Sequence, residues 1–343
     1  MIVMSQVVRP SRRSLLALAG LGAGASLLAA CGAGGDGPAG SDGPTVVTTC
    51  YPFDFLTSRI TGDQVDLVSL ASPGVDAHGL ELSVQQVMQI QEADLVLQIA
   101  GFQAPVDDAI ASGGTENVLE ISTVVDLLPY GGAEDSADDP ATGASDGGGD
   151  GHEGHDHAEE EPAEEGHEGH DHGPTDPHFW QDPLRMADVG DAIAARLGEI
   201  VPDRAAEFTA NADAVRADLE ELDAELAGEF GGIDGSRTFI TSHAAYAYLA
   251  DRYELEQVGI AGVDPETEPS PRRLLELEQV VADEGVTTIF FETTASPKVA
   301  QTLADNVGVS SEELDNLESQ LDESADYLQV MRDNADKLVA SWA

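Results

Sequence analysis

Apolar and polar positions follow two patterns beyond Thr45: short apolar runs, and longer stretches in which apolar residues recur at helical spacing. The short runs are rich in β-branched residues and predict strands at 45–50, 65–70, 94–99 and 118–121, and again at 238–241, 255–260 and 287–291. Ser83 to Ala93 is the clearest helix, because Gln86 stands three residues after a Ser N-cap. Alternating strands and helices favour parallel sheets flanked by helices. The chain therefore predicts an α/β protein of two lobes, 45–201 and 231–343.

One long amphipathic stretch separates the two series of strands. It follows Pro202, carries an apolar stripe from Phe208 to Phe230, and ends at two glycines. A helix of about 28 residues spans on the order of 40 Å. We therefore expect residues 202–230 to form a rigid helix that joins the lobes and leaves a cleft between them. Further helices are predicted at 184–200, 244–253, 271–284, 297–306 and 322–342.

The N-terminus has the pattern of an export signal. Arg12 and Arg13 precede an apolar stretch that ends at Ala30 and is too short to span a bilayer comfortably, so residues 1–30 are predicted to be a signal peptide. The stretch ends in Leu-Ala-Ala-Cys, which resembles a lipobox and would make Cys31 the lipidated N-terminus of the mature protein. The arginine pair also fits a twin-arginine signal, so the export route stays open. Residues 31–44 are rich in small and polar residues and predict a flexible tether.

A long acidic insert, residues 131–175, interrupts the first lobe. It has too few apolar residues to form a core, so we expect it to be disordered. The heptapeptide Gly-His-Glu-Gly-His-Asp-His occurs in it twice, at 151–157 and 166–172. Such a repeat predicts weak auxiliary sites for a borderline metal such as zinc, nickel or copper, although a plain solvated loop is the alternative. The candidate ligands are His152, His155, His157, His167, His170 and His172.

The net charge narrows the range of partners. The sequence has 15 basic and 65 acidic residues and a formal charge of -50, which disfavours nucleic acid and anionic lipid and attracts cations. Acidity alone is equally compatible with a surface that only keeps the protein soluble. If Cys31 carries lipid, Cys50 has no partner for a disulfide, and its place after an apolar run predicts a small buried residue.

Three histidines lie outside the insert, each beside a predicted strand end or between prolines. His78 follows a turn-rich loop after the second strand, His178 lies between Pro177 and Pro183, and His243 follows the strand at 238–241. Ligands in α/β proteins bind beyond the carboxyl ends of strands. No C-x-x-C or H-E-x-x-H spacing supports the set. The residues alone leave open whether the three converge on a metal or are ordinary hydrogen-bonded histidines.

The segments around these histidines resemble a known family. The metal-binding lipoproteins that feed zinc and manganese ABC importers have three histidine motifs, and three segments of this chain are similar to them: Pro73–His78, Asp176–Pro183 and Ser242–Leu249. Glu266–Pro271 and Ile289–Glu292 are similar to further motifs of that family, and the acidic insert resembles that of its zinc-type members. The likeness runs from about Thr45 to the C-terminus.

The resemblance implies a function and a location. It implies a protein that is not an enzyme, captures Zn²⁺ in the cleft between the lobes and delivers it to an ABC permease. Such a protein would be extracytoplasmic, attached to the membrane through lipid on Cys31, and monomeric. The insert would raise the local supply of zinc or sense it. An adhesin built on the same fold is an alternative.

The resemblance also implies a ligand set. His78, His178 and His243 would bind the metal, and the family's fourth position is an Asp late in the second lobe, or is left to a Glu or water. The best match is Asp315, although Asn316 stands where the family has proline. Glu292 is expected to accept a hydrogen bond from a ligand histidine, a surface carboxylate being the alternative.

Three imidazoles and one oxygen favour zinc, whereas manganese prefers more oxygen ligands and a higher coordination number. A manganese or iron member of the same family is the alternative. A zinc hydrolase is a rival from another class, but it needs a general base beside the metal, which no motif in the sequence supplies.

Overall fold

The computed structural model describes residues 43–129, 175–262, 265, 269–294, 296–321 and 326–343. All of these residues belong to one unit, residues 40–343. Several predicted features lie outside the described residues: the export signal, Cys31, Glu266–Glu268 and the six insert histidines.

The first lobe is a parallel sheet of four strands in the order β2-β1-β3-β4. Its strands are β1 (Thr45–Thr48), β2 (Asp66–Ser69), β3 (Leu95–Gln98) and β4 (Val118–Glu120). The helices between them are α1 (Tyr51–Thr61), α2 (Val84–Glu92) and α3 (Ala104–Gly113). The predicted capping box at the start of α2 is confirmed, since Ser83 and Gln86 bond each other's main chain. Cys50 is fully buried and not in a disulfide, as predicted.

Two helices lie between the two sheets along the chain, α4 (Pro183–Ile200) of the first lobe and the joining helix α5 (Ala205–Gly231). A short 3₁₀ turn, Pro202–Arg204, precedes α5. The 27 residues of α5 span about 40 Å. The predicted apolar stripe is buried, and α5 packs against α1 and α4 of the first lobe. The same helix also packs against two helices of the second lobe, so it braces both lobes along its length.

The second lobe repeats the topology of the first, with four parallel strands in the order β6-β5-β7-β8. Its strands are β5 (Thr238–Thr241), β6 (Glu256–Gly259), β7 (Thr288–Glu292) and β8 (Ser310–Leu314). Its helices are α6 (Ala247–Tyr253), α7 (Pro271–Glu284), α8 (Lys298–Val307) and α9 (Tyr327–Ser341), of which α6 and α9 are the two that pack on α5. The prediction of two parallel-sheet lobes joined by a long helix is confirmed.

Two differences from the predicted elements lie near the carboxyl edge of the second sheet. Helix α6 begins at Ala247 rather than Ala244, because Ala244 N–H donates to Gly262 O and Ala245 N–H to His243 O in a tight loop. Strand β8 lacks the apolar pattern by which the sequence predicts the other strands. It is an edge strand, and its residues before Leu314 are polar and mostly exposed, so it lacks the apolar run that marks a central strand.

Candidate metal site

Four side chains from four separate segments meet where the two lobes face each other. His78 lies in the loop between β2 and α2, His178 lies just before α4, and His243 follows β5 by two residues. The fourth is Glu318, which follows β8 by four residues. One potential ligand atom from each lies within 4.8 Å of all the others. Within the described ranges, this is the one group of three or more His, Cys, Asp or Glu side chains with such geometry.

The carboxylate of Glu318 faces the three imidazole rings. Glu318 Oε1 lies 3.1 Å from His178 Nε2, 3.5 Å from His78 Nε2 and 3.5 Å from His243 Nε2. The Nε2 atoms of His78 and His178 are 3.2 Å apart. Three nitrogens and one oxygen that converge in this way form a four-ligand set of the kind that zinc prefers.

His178 is held by the segment that precedes it. Asp176 Oδ1 accepts hydrogen bonds from His178 Nδ1–H at 2.7 Å and from the His178 main-chain N–H at 2.9 Å. With the proton on Nδ1, the lone pair of Nε2 points at the other ligands. Trp180 Nε1–H and Gln181 Nε2–H both donate to Asn316 O, at 2.8 and 2.9 Å. The His178 segment is therefore fastened to the loop of the second lobe that carries Glu318.

Glu292 lies directly behind His243. It ends β7, is 1% exposed, and places Oε1 3.2 Å from both His243 Nδ1 and the His243 main-chain N–H. Ser242 Oγ–H donates to the other carboxylate oxygen of Glu292. The structure thus puts Glu292 in a buried position beside a candidate ligand rather than on the surface.

Asp315, the residue expected as the fourth ligand, is not part of the group. Its Oδ1 accepts the main-chain N–H of Leu317 at 2.8 Å, and its main-chain O accepts Asn334 Nδ2–H at 2.6 Å. The resulting turn puts the buried Leu317 at a φ of 64° and directs the next residue, Glu318, inward. A non-glycine residue with positive φ is uncommon and costs energy, and such strain concentrates at functional sites.

The sequence has a carboxylate motif after β8 that indicates a fourth ligand, but the family resemblance favours Asp315 of that motif rather than Glu318. Two carboxylates follow β8 within one motif, and either spacing from the strand is compatible with a ligand. The left-handed conformation of Leu317 decides between them, and a leucine gives no sign in the sequence that the main chain takes this conformation.

The histidines and carboxylates of the site shift one another's pKa values. Burial alone would raise the pKa of Glu318, but the three histidine rings beside its carboxylate outweigh that effect and hold the pKa well below the ordinary value. Burial alone would lower the pKa of His178, but Asp176 and Glu318 raise it. Burial would likewise lower the pKa of His243, but Glu292 and Glu318 raise it to about 10.

The donor set fits a cation rather than a packed polar core. Neither ring nitrogen of His243 has an aligned hydrogen bond to any described residue, although the ring is 1% exposed and Glu292 lies within ion-pair distance. A buried polar atom without a partner is costly, and a metal ion bound at Nε2 removes that cost. The side chain of His78 is 14% exposed, whereas those of His178, His243 and Glu318 are at most 1% exposed, so the site opens to solvent on the His78 side.

Cys50 takes no part in this site. It is absent from the converging group, and burial raises the pKa of its thiol well above the ordinary value, which keeps it protonated and unreactive.

Comparison with known proteins identifies the family. The family profile described as ZnuA, zinc-uptake complex component A periplasmic, matches residues 46–341. The zinc-binding protein AdcA of Streptococcus pyogenes serotype M1 is 33% identical over 299 residues, which cover 85% of this chain and 55% of that protein, so the chain spans about half the length of such relatives. The high-affinity zinc uptake system protein ZnuA of Bacillus subtilis is 32% identical over 322 residues, 91% of this chain and 92% of that protein.

The fold is shared with solved structures as well. The laminin-binding protein Lmb of Streptococcus agalactiae, described as an adhesin with metal transporting activity, matches with a TM-score of 0.70 and 29% identity over 88% of this chain and all of that one. The matched family is described as a component of an uptake complex and not as an enzyme. Since the profile covers both lobes and all four converging side chains, the chain belongs to the zinc-uptake complex component A (ZnuA) family.

Proposed function

We propose that this chain captures Zn²⁺ with His78, His178, His243 and Glu318 and delivers it, as cargo, to the permease of an ABC importer. The observation that carries the proposal is the convergence of three imidazole nitrogens and one carboxylate oxygen within 4.8 Å. The zinc-binding names of the relatives agree with it. Three nitrogen ligands and a single oxygen suit zinc better than manganese, which favours oxygen-rich sites of higher coordination number.

The carboxylates near the site support capture rather than catalysis. A zinc hydrolase needs a free carboxylate or similar base to activate a metal-bound water. Asp176 and Glu292 are each engaged by a histidine ring, and Glu318 faces all three rings. The chain is therefore proposed to bind zinc without chemical turnover.

The location follows from the N-terminus and the relatives. The family is described as periplasmic, and a Streptococcus pneumoniae relative is named a zinc-binding lipoprotein. We infer an extracytoplasmic protein attached to the membrane by lipid on Cys31 and acting as a monomer. Within the described ranges, no helix combines the length and apolar character needed to cross a membrane. The likeness to Lmb extends over the whole fold, so it singles out no adhesive surface on this chain.

Zinc release is expected to involve small movements. Helix α5 packs on helices of both lobes, which opposes a large hinge motion. The loop before His78 is exposed from residue 72 to residue 75, and His78 is the ligand with solvent access. Displacement of this loop would uncover the metal without separating the lobes.

The test is a pair of isosteric carboxylate variants. Glu318→Gln removes the charged ligand, whereas Asp315→Asn keeps an oxygen that can accept the Leu317 N–H. We expect one tight Zn²⁺ per wild-type chain in competition with a chromophoric chelator, and the same for Asp315→Asn. Glu318→Gln and His178→Ala should lose more affinity than the 10- to 100-fold typical of residues that only support a ligand.

Other outcomes would overturn the proposal. If Asp315→Asn lost the site and Glu318→Gln kept it, the ligand set would be wrong. If Mn²⁺ bound to the wild type as tightly as Zn²⁺ at neutral pH, the zinc assignment would fail.

A further inference from the structure

One tyrosine hydroxyl joins the two ends of the insert to the candidate metal site. Tyr248 lies in α6 of the second lobe and is fully buried. Its hydroxyl donates to Asp176 O at 2.5 Å and accepts the main-chain N–H of Leu128 at 2.8 Å. Leu128 precedes the insert and Asp176 follows it, so a single oxygen bonds the main chain on both sides.

The two flanking segments are also bonded to each other. Asp176 N–H donates to Leu128 O at 2.8 Å, and Pro129 forms an isolated antiparallel bridge with Thr175. Tyr248 therefore closes a small set of main-chain hydrogen bonds around the point where the insert leaves the first lobe. Burial raises the pKa of Tyr248, which keeps the hydroxyl protonated and able to donate.

Asp176, which Tyr248 holds through its carbonyl oxygen, is bonded in turn to the candidate ligand His178. The carboxylate of Asp176, the residue whose carbonyl Tyr248 holds, accepts both the ring Nδ1–H and the main-chain N–H of His178. A shift of the Asp176 main chain would therefore turn the imidazole and displace Nε2. Hydrogen-bond partners behind a metal ligand fix its orientation and basicity, and their loss commonly costs 10- to 100-fold in metal affinity.

A simpler role for Tyr248 is that of a core aromatic. The ring is buried, and the Arg185 guanidinium lies over it, 4.7 Å from its centre. That role would be filled equally well by phenylalanine. The hydroxyl, by contrast, bonds the N–H of Leu128 and the carbonyl of Asp176, two main-chain groups that belong to no described helix or strand. Without the hydroxyl, both groups would need other partners.

We propose that Tyr248 is a positioning residue for metal capture, which sets the orientation of His178 through the main chain of Asp176 and does not touch the ion. The proposal rests on the zinc-binding function proposed above and extends it to the second lobe. It also means that the segments flanking the insert are held against the same residue that orients a ligand.

The experiment compares two tyrosine variants on the same helix in the full mature chain. Tyr248→Phe removes the hydroxyl and keeps the ring under Arg185. Tyr253→Phe is the matched control, because its hydroxyl makes a partly buried hydrogen bond to a side chain, Asp223 Oδ1 at 3.0 Å, and not to the main chain beside the insert. We expect Zn²⁺ affinity to fall about tenfold in Tyr248→Phe and to stay unchanged in Tyr253→Phe. The visible absorption of the Co²⁺-loaded protein should change only in Tyr248→Phe.

The route of the effect is tested with Asp176→Ala, which removes the carboxylate that accepts from His178. If Tyr248 acts through Asp176, Tyr248→Phe should cost less affinity in the Asp176→Ala background than in the wild type. An undiminished loss in that background would overturn the proposal. So would wild-type affinity and an unchanged Co²⁺ spectrum in folded Tyr248→Phe, or equal losses in both tyrosine variants. If the wild type itself bound no Zn²⁺, the proposed function would fall first and this inference with it.

Discussion

Acidification should release zinc steeply, because the metal competes with protons for the same nitrogens. The pKa of His243 is raised to about 10, since Glu292 and Glu318 outweigh the effect of burial. His243 is then protonated in the metal-free protein at neutral pH, and its Nε2 must lose that proton before it binds zinc. The pKa of His178 is raised as well, because Asp176 and Glu318 outweigh burial. Metal binding therefore releases one proton from His243 and up to one more from His178.

The number of released protons sets the slope of affinity against pH. A release of one to two protons predicts that Zn²⁺ affinity falls about 10- to 100-fold when the pH is lowered from 7.5 to 6.5. Two histidines with an ordinary pKa of about 6.5 would lose only about threefold over the same interval. Glu318 does not contribute to this loss, because its pKa is held well below the ordinary range by the three histidines despite burial.

The assay is calorimetric titration with Zn²⁺ in buffers of different ionisation enthalpy, which counts protons, together with chelator competition at each pH. Glu292→Gln is the control variant. It removes a charge that raises the pKa of His243, so fewer protons should be released and the slope should fall. A wild-type loss of about threefold or less between pH 7.5 and 6.5, or a Glu292→Gln slope equal to that of the wild type, would refute the reasoning.

Deletion of residues 131–175 should leave one tight zinc site and remove several weaker ones, as counted by equilibrium dialysis; loss of the tight site would contradict that division. The metal-free protein should lose stability as the pH rises from about 6.5 towards the raised pKa of His243, because the stabilising histidine–carboxylate pairs lose their proton there; its melting temperature measures this. Leu222→Ala should cost about 2–5 kcal/mol in urea unfolding, because Leu222 is fully buried on α5, while the exposed Glu221→Ala should stay within about 0.5 kcal/mol.

The sequence predicted the elements whose local signals agree with their environment. Helix α2 has its capping box at Ser83, α7 runs from Pro271 to Glu284 as predicted, and β5 occupies the predicted residues 238–241. Strand β8 has no apolar pattern that would predict it, because an edge strand needs only one buried side and only Leu314 is fully buried there. Patterns of apolar residues report burial, so elements that bury little are the ones that they miss.

The candidate site was predictable where it depends on strand ends and not where it depends on a turn. His78 and His243 could be singled out because they follow parallel strands, whose carboxyl ends lie at one edge, and His178 because prolines flank it. The family resemblance joined the three into one ligand set, and the structure brings them together. The choice between Asp315 and Glu318 depends on main-chain geometry at Leu317, which has no compositional signature. The contact between Tyr248 and Asp176 joins residues 72 positions apart, and local patterns carry no information about it.

The arrangement of supports around the ligands indicates how tight capture and release can coexist. His178 and His243 each have a buried carboxylate behind the ring, and the turn at Leu317 directs Glu318 toward them. These three proposed ligands are held in place before a metal binds, so binding does not have to order them, which favours high affinity. His78 belongs to an exposed loop and has solvent access. Tight zinc binding thus depends on three of the proposed ligands and zinc release on the fourth, His78. A permease that displaced only the His78 loop would leave three proposed ligands in place and open one coordination position.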